Sequence, residues 1–530
     1  MYRKRSILLI AVLGFALLLG GATAQSENPQ GGTVRVALPA QPETFNPVLL
    51  GELSSSIVYN AVFASLTVQH PETFAVEPYL ADSWEASEDL RSWTFYLNQD
   101  ARWHDGVPVT AEDVKFTFDR IIDPEENAQG YADMSILDRV EVIDTHTVRF
   151  VLNEVDGMFP DRLSLGSLQP LPKHLLEDYE RLSDAVEFNT ERPVGNGPFK
   201  MGSSETGAFV ELLANEDFFL GSPNIDRLLF SIIPDMNVRV ARLRAGDIDW
   251  TDIEPAHAQA LERDPNVAVI PVSSSRYPLA DFAFEGPYAH LFEDPRVRMA
   301  MTHAVDQQTI LDAVALGRGW LMEGRYIPHV IEWIPEPNIE PYQYDMERAL
   351  ELLHEAGWAD TTGDGILDND GESFSFYILV DRGNVQREQI GLVLQESWQE
   401  LGMDVEYVAG ERTGRWIDET RARTFPVRLA EFPIPNVDWF RRIYHSDGPN
   451  SRGYSNPEVD ALIDAAIRTA DREEQGQLYQ RAQELLHQDP PVIPFFLREQ
   501  LVAAQTRVGN LPQGELKLST PFAHLLYIEQ

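Results

Sequence analysis

The chain has 530 residues, no cysteine, 42 Lys and Arg against 84 Asp and Glu, and a formal net charge of −42. This length is sufficient for two or three packed units. The missing cysteines exclude disulfides and thiolate chemistry, and the negative charge argues against nucleic acid or an anionic membrane surface as a partner.

The first 24 residues predict a secretory signal peptide. A basic start at Arg3, Lys4 and Arg5 precedes an apolar run at 7–19, and Ala22 and Ala24 form an A-x-A pattern. The run is shorter than the ~20 residues that a spanning helix needs. Since no cysteine is available for lipid attachment, we expect the mature protein to be free in the periplasm and not a lipoprotein.

An alternating strand at 31–40 opens the mature chain, and a second strand at 92–100 leads into "HDGVPV". His104 beside Asp105 resembles a general-base pair. However, Asp105-Gly106 is a turn dipeptide, and Thr110 with Asp113 forms a capping box for the next helix. Every neighbour has a local folding role, so the stretch favours architecture over catalysis.

Enzyme and metal signatures are absent from the sequence. It contains no G-K-[ST], G-x-S-x-G or H-E-x-x-H motif, and "GNGPFK" at 195–200 does not continue as a dinucleotide loop. The loop 360–372 resembles a calcium loop, but Gly371 stands where the bidentate glutamate belongs, which favours a hairpin turn. The 12 histidines form no ligand-spaced cluster. We therefore predict no catalytic residue, no metal site and no cofactor.

The second half continues the alternation of helices and strands. Helices are predicted to begin at the caps Asp294, Asp306, Asp345 and Asn456, and a further helix and strand occupy 384–408. A late extended segment at 490–505 is placed to return the chain to its first lobe. The pattern predicts an α/β fold.

Six segments in register resemble the extracellular solute-binding proteins of ABC importers, family 5, which includes dipeptide- and oligopeptide-binding proteins. They begin with "LADSWEASEDLRSWTFYLNQDARWHDGVPVTAEDVKFTF" and end with "GYSNPEVDALIDAA"; their ranges are 80–118, 194–199, 217–250, 293–310, 349–367 and 453–466. The resemblance covers nearly the whole mature chain.

The resemblance implies a two-lobe periplasmic-binding-protein clamshell (type II, cluster C-like) with an extra subdomain in the N-terminal lobe. The expected divisions are a signal peptide at 1–24, an N-terminal lobe from 25–57, 190–282 and 498–530, the extra subdomain at 58–189, and a C-terminal lobe at 283–497. Strands crossing between the lobes are expected near 278–286 and 494–503. The implied partners are a small solute and the permease subunits, and a monomer is expected.

In peptide-binding relatives, a strand of the second lobe carries a carboxylate that pairs with the α-ammonium of the peptide. The corresponding position here is Pro433, and the nearest acid is Glu431, two residues earlier. Side chains two positions apart on a strand share a face, so Glu431 is a candidate anchor. A solvated surface acid is the equal alternative.

Other candidate ligand contacts come from the same region and from the first lobe. Arg421, Arg423 and Arg428 are candidates for a ligand carboxylate, with surface ion pairs as the alternative. Aromatic platforms and further cleft-facing residues complete the set: Phe45, Tyr131, Asn196, Trp416, Phe432 and Trp439. A peptide is the first ligand class and an oligosaccharide or other small solute the second; a secreted hydrolase remains the class alternative.

Overall fold

The computed structural model describes residues 30–529 except 50, 165, 273, 412–413, 435–436 and 449–451. The predicted signal peptide lies outside these residues. Within the described ranges, no helix combines the length and the apolar character that crossing a membrane requires.

The described strands alternate with helices along the chain. The strands are β1 Thr33–Leu38, β2 Thr67–Gln69, β3 Val76–Pro78, β4 Ala81–Ala86, β5 Ser92–Leu97, β6 Leu137–Asp144, β7 Thr147–Leu152, β8 Phe199–Glu205, β9 Phe209–Ala214, β10 Arg227–Ile232, β11 Trp250–Ile253, β12 Val267–Val272, β13 Arg276–Phe282, β14 Gly319–Leu321, β15 Asp368–Asn369, β16 Glu372–Ser373, β17 Ser375–Asp381, β18 Asp404–Gly410, β19 Val427–Pro433, β20 Val492–Pro494, β21 Phe496–Arg498, β22 Gln500–Gln505, β23 Val508–Gly509 and β24 Tyr527–Ile528.

The helices are α1 Leu53–Val62, α2 Ala111–Ile121, α3 Phe159–Arg162, α4 Lys173–Leu176, α5 Val186–Thr190, α6 Met236–Ala245, α7 Pro255–Leu261, α8 Ala289–Phe292, α9 Pro295–His303, α10 Gln307–Ala315, α11 Met346–Glu355, α12 Val385–Glu400, α13 Arg415–Ala422, α14 Val437–Tyr444, α15 Pro457–Ile467, α16 Arg472–Gln488 and α17 Leu516–Ser519. The predicted caps are confirmed, since Asp294, Asp306, Asp345 and Asn456 each accept a hydrogen bond from a first-turn amide.

The first lobe is built on a seven-stranded sheet in the order β12-β22-β11-β1-β10-β9-β8. The central strand β1 runs parallel to β10 and β11, whereas β22 pairs antiparallel with both β11 and β12. The sheet therefore takes strands from both ends of the chain. Its two faces are covered by separate apolar clusters, one containing Val36 and Leu38 and the other Ala37, as the strand's alternation requires.

A four-stranded sheet in the order β4-β5-β7-β6 forms the extra subdomain, and all its pairings are antiparallel. The helix α2 packs against it and buries Val114, Phe118 and Ile121, which share one face at an i, i+4, i+7 spacing. These side chains belong to the same buried cluster as the core of the first sheet. The subdomain is therefore a continuous part of the first lobe.

The second lobe is built on a five-stranded sheet in the order β18-β17-β19-β13-β20. Ala280 and Leu429 belong to the apolar cluster on one face, and Leu279 and Ala430 belong to the cluster on the other. A sheet buried on both faces is typical of strands that are covered by helices on each side.

The chain passes between the two sheets at two places. The first passage lies between Val272 and Arg276. The second lies between β20 and β22 at 495–499, and it includes β21, which pairs with β14 in a separate two-stranded sheet. The expected boundary after 282 would have placed β13 in the first lobe, but β13 pairs with β19 and β20 in the second sheet. The expected boundary follows from the resemblance, which places a crossing near 278–286 without showing which sheet β13 joins, and this is the reason for the difference.

Candidate ligand-binding site

A cavity of about 310 Å³ lies between the two lobes. The first lobe contributes one side of α1, the segment that follows it, two loops and the region of α17, which are brought together only by the fold. Their lining residues are Ser56, Tyr59, Asn60, Phe63, Ser65, Val68, Gln69, Phe74, Tyr79, Gln129, Asp133, Ser164, Gly166, Ser167, Gln169, Glu515, Lys517, Leu518 and Pro521. The volume is at the lower end of that of ordinary small-molecule pockets.

The second lobe closes the cavity with the ends of two paired strands and one helix. Ser275 and Arg276 lie at the start of β13, Pro433 lies at the end of β19, and Trp439 lies on α14. Arg276 and Pro433 are register partners in the sheet. This wall is therefore attached rigidly to the second sheet, close to the first passage between the lobes.

The floor on the first-lobe side is a hydrogen-bonded frame of amide side chains. Gln169 Nε2 donates to Asn60 Oδ1 at 2.9 Å, and Asn60 Nδ2 donates to the carbonyl of Lys517 at 2.8 Å. Gln169 is 2% exposed, and its Oε1 has no hydrogen-bond partner in the described chain. A buried acceptor without a partner is costly, so this frame contains an unsatisfied polar atom.

Among the described residues, four charged side chains line the cavity: Asp133, Arg276, Glu515 and Lys517. Both acids are paired with a basic side chain. Asp133 accepts from Arg442 Nη1 at 2.8 Å, and Glu515 lies 3.9 Å from Lys517 Nζ. The fourth group, Arg276, is exposed, and among the described residues its guanidinium has no ion-pair or hydrogen-bond partner. The four lining charges therefore sum to zero, and Arg276 is the one among them without an ion-pair partner on the described residues.

The two lobes touch each other beside the cavity. Arg162 of α3 donates to Asp438 of α14 at 2.6 Å and to Asp156 at 2.7 Å, and Arg472 donates to Asp161 at 2.7 Å. Burial raises the pKa of Asp161. Met158 of the first lobe also belongs to the buried apolar cluster of the second lobe. These contacts define a closed arrangement.

Trp439 is the one predicted ligand contact that lines this cavity among the described residues. The guanidinium of Arg442 lies over its ring, 5.0 Å from the centroid. Because Arg442 also holds Asp133, the tryptophan is fixed in position at the junction of the two lobes.

The structure places the first-lobe candidates elsewhere. Phe45 is 3% exposed within the main core, and Asn196 is fully buried, where its Oδ1 accepts from the N–H of Ala64 at 2.8 Å. Tyr131 is 44% exposed, and it is its neighbours Gln129 and Asp133 that reach the cavity. The expectation that Phe45 and Asn196 contact a ligand is therefore corrected. Both are packing residues, because their side chains point into the lobe and not into the cleft.

The second-lobe arginines and Trp416 are likewise placed away from the cavity. Arg428 is 4% exposed and donates to Asp281 at 2.6 Å, with its guanidinium over the rings of Trp416 and Phe425. Arg423 pairs with Glu285, and Arg421 is exposed on α13. Since the carboxylate of Asp281 already occupies Arg428, the expectation that Arg428 binds a ligand carboxylate is replaced by a structural role.

Glu431 and Phe432 also lie off the cavity. Glu431 is 3.7 Å from Arg387 Nη2 and lines a separate recess next to α12, while Phe432 packs on the second-lobe cluster beneath Arg452. Pro433, by contrast, does line the cavity. The strand end that faces the ligand space thus presents no charge, and the nearest acid is engaged by an arginine.

The residues that sequence reasoning missed are Gln169, Asn60 and Arg276. Gln169 and Asn60 stand in segments without any recognisable motif, 109 positions apart. Arg276 has one weak signal, its place at the start of an alternating strand close to the passage between lobes.

His104 is a structural residue. Its Nε2 lies 3.0 Å from the carbonyl of Gly197, its Nδ1 accepts from the N–H of Gly195 at 3.2 Å, and Asp105 is bonded to His174 instead. The loop 360–372 is a hairpin of β15 and β16, in which Asp360 accepts from the amides of Gly363 and Gly365. Across the described ranges, no group of three or more potential metal-ligating side chains is assembled.

A family model described as bacterial extracellular solute-binding proteins, family 5 Middle, matches residues 75–450. The "Oligopeptide-binding protein AppA" of Bacillus subtilis is 29% identical over 513 residues, which cover 92% of each chain. The "Di/tripeptide-binding protein 1" of Pseudomonas aeruginosa is 28% identical over 525 residues, 93% of each chain.

A solved structure of the Bacillus subtilis AppA protein in complex with a nonapeptide superposes with a TM-score of 0.73 at 26% identity. The match covers 95% of this chain and 100% of that one. The likeness therefore extends over both lobes and the subdomain.

Proposed function

Because this chain belongs to the bacterial extracellular solute-binding proteins, family 5, we propose that it captures a short peptide between its two lobes and delivers it unaltered to the permease of an ABC importer. The observation that carries the proposal is the cavity whose lining comes from both lobes. A ligand that contacts both walls stabilises the closed state by its difference in affinity for the two states.

The peptide class is supported by the lining itself and by the relatives. The cavity combines amide and hydroxyl side chains with the rings of Tyr59, Phe63, Phe74 and Trp439. This mixture suits a peptide, which has a polar backbone and can carry apolar side chains. Relatives of nearly equal length are named as oligopeptide- and di/tripeptide-binding proteins. The small volume favours a short peptide over a nonapeptide.

Export through the signal peptide, with cleavage after Ala24, would place the mature protein in the periplasm as a monomer. The basic start, apolar run and A-x-A pattern support this proposal. Amino-terminal sequencing of the exported protein should begin at Gln25.

Native mass spectrometry of the exported protein, before and after incubation with a tripeptide pool, tests the function. We expect bound masses that correspond to intact peptides, and a supernatant in which no peptide is shortened. Small-angle scattering of the stripped protein should show a smaller radius of gyration after peptide is added. Hydrolysed peptides would favour the hydrolase alternative, and retention of sugars alone would favour the oligosaccharide alternative.

A further inference from the structure

We infer that the ligand's carboxylate is bound by Arg276 and that its amino end is received by neutral acceptors, with no carboxylate partner. The inference rests on the proposed function and specifies the peptide's orientation and the chemical state of its ends. It follows from the charges and the neutral polar groups that the closed cavity presents.

The acids near the cavity are already neutralised by arginines or lysine. Asp133 and Glu515 line it and are paired with Arg442 and Lys517. Asp438 and Glu431 lie on neighbouring second-lobe elements and are paired with Arg162 and Arg387. An α-ammonium entering the cavity would therefore have to compete with a resident cation for each of these carboxylates.

Arg276, unlike these acids, has no ion-pair partner among the described residues. It is a lining residue on the second-lobe wall, exposed, and without a partner among the described residues. Its register partner is the uncharged Pro433. A guanidinium offers a fork of N–H donors that matches a carboxylate, and such charge-assisted bonds are stronger than neutral ones.

The first-lobe wall offers the amino end neutral polar groups. The amide and hydroxyl side chains of Asn60, Gln129 and Ser167 line it, and both acids among its lining residues are paired. An amide N–H or an amine satisfies a neutral acceptor equally well, because a neutral oxygen does not require a charged donor.

Arg276 and this first-lobe wall lie on opposite lobes, so one peptide that contacts both holds the lobes together. The arrangement makes the free carboxyl terminus a requirement and the free amino terminus dispensable. We expect N-acylated peptides to be ligands as good as unmodified ones.

The experiment compares one equimolar tripeptide pool in three forms, free, N-acetylated and C-amidated, by titration against the stripped, full-length mature protein. C-amidation should weaken binding by about tenfold or more, whereas N-acetylation should change it by less than about threefold. The variant Arg276→Gln should bind the free pool about tenfold more weakly and should no longer distinguish acid from amide. Arg263→Gln, an exposed arginine outside the cavity, is the matched control and should behave as wild type.

The wild-type comparison stands even if a variant folds poorly. Equal binding of the acid and amide forms, or a larger loss on N-acetylation, would overturn the inference while leaving peptide capture intact. Binding of none of the three forms would overturn the proposed function together with the inference. Retained discrimination in Arg276→Gln would assign the carboxylate to another residue and also overturn it.

Discussion

At the residue scale, the chemistry of a side chain here is decided by its partners. His104 uses both ring nitrogens on the backbone of 195–197, and burial lowers its pKa to about 4. Asp281 and Arg428 are buried together, as are Arg387 and Asp381. Groups that look reactive in the sequence are thus paired within the scaffold, whereas Arg276, which has no partner among the described residues, is inconspicuous in the sequence.

His104 gives a prediction for stability against pH. Its folded pKa of about 4 lies below the ordinary value of 6.5, so the unfolded chain binds more protons between these two values. Stability should therefore fall as the pH drops through this window, by up to about 3 kcal/mol from this group. Denaturant unfolding of wild type and His104→Gln at pH 7 and pH 4.5 measures it; an equally large drop in both proteins would contradict the assignment.

Trp439 gives a prediction for binding. Its ring lines the cavity, so Trp439→Ala should weaken peptide binding by about 1–3 kcal/mol through lost contact area. Trp320→Ala is the matched control, because Trp320 is 43% exposed and lies outside the cavity. Calorimetric titration of both variants is the measurement, and equal affinities would exclude Trp439 from the ligand contact.

At the element scale, the segment 194–199 is hydrogen-bonded both to the end of α1 and to the loop that contains His104. The N–H of Gly197 donates to the carbonyl of Val62 at the end of α1, and the N–H of His104 donates to the carbonyl of Gly195. A Cβ atom at Gly195 would collide with that same Val62 carbonyl. The segment 194–199 therefore fixes the position of α1, which carries the cavity-lining residues Tyr59 and Asn60.

The side chain of Asn196 adds a hydrogen bond between this segment and Ala64, which follows α1. Asn196→Ala would leave the buried N–H of Ala64 without an acceptor and should cost about 1–3 kcal/mol of unfolding free energy. Peptide affinity of the folded fraction should change by less than about twofold. Denaturant unfolding is the measurement and Asn266→Ala, on an exposed turn, the control; a selective loss of binding without a loss of stability would return Asn196 to the ligand site.

At the scale of the whole molecule, closure is supported by arginine–aspartate pairs between the lobes. Arg162–Asp438, Arg442–Asp133 and Arg472–Asp161 all join the first lobe to the second. Pairs that are partly buried are worth more than exposed ones, yet each is a modest contribution. Such pairs can separate on opening because both charged groups regain hydration in water.

We expect Asp438→Asn to shift the protein toward the open state by about 1 kcal/mol, roughly a fivefold change in the ratio of states. Added salt should act in the same direction on wild type by screening the pairs. The radius of gyration from small-angle scattering, at low and at high salt, is the readout. Asp119→Asn, which removes only the pair of Asp119 with Lys115 on the surface of α2, should leave the radius unchanged.

The sequence by itself determined the local elements and the family. Helix caps, alternating strands and the order of six motifs depend on neighbouring residues, and the cap predictions are confirmed for Asp294, Asp306, Asp345 and Asn456. Only the tertiary structure decided which sheet β13 joins and which side chains remain free. Gln169 meets Asn60 across 109 positions and Arg428 meets Asp281 across 147, so the availability of a group for a ligand is settled by contacts that no local pattern contains.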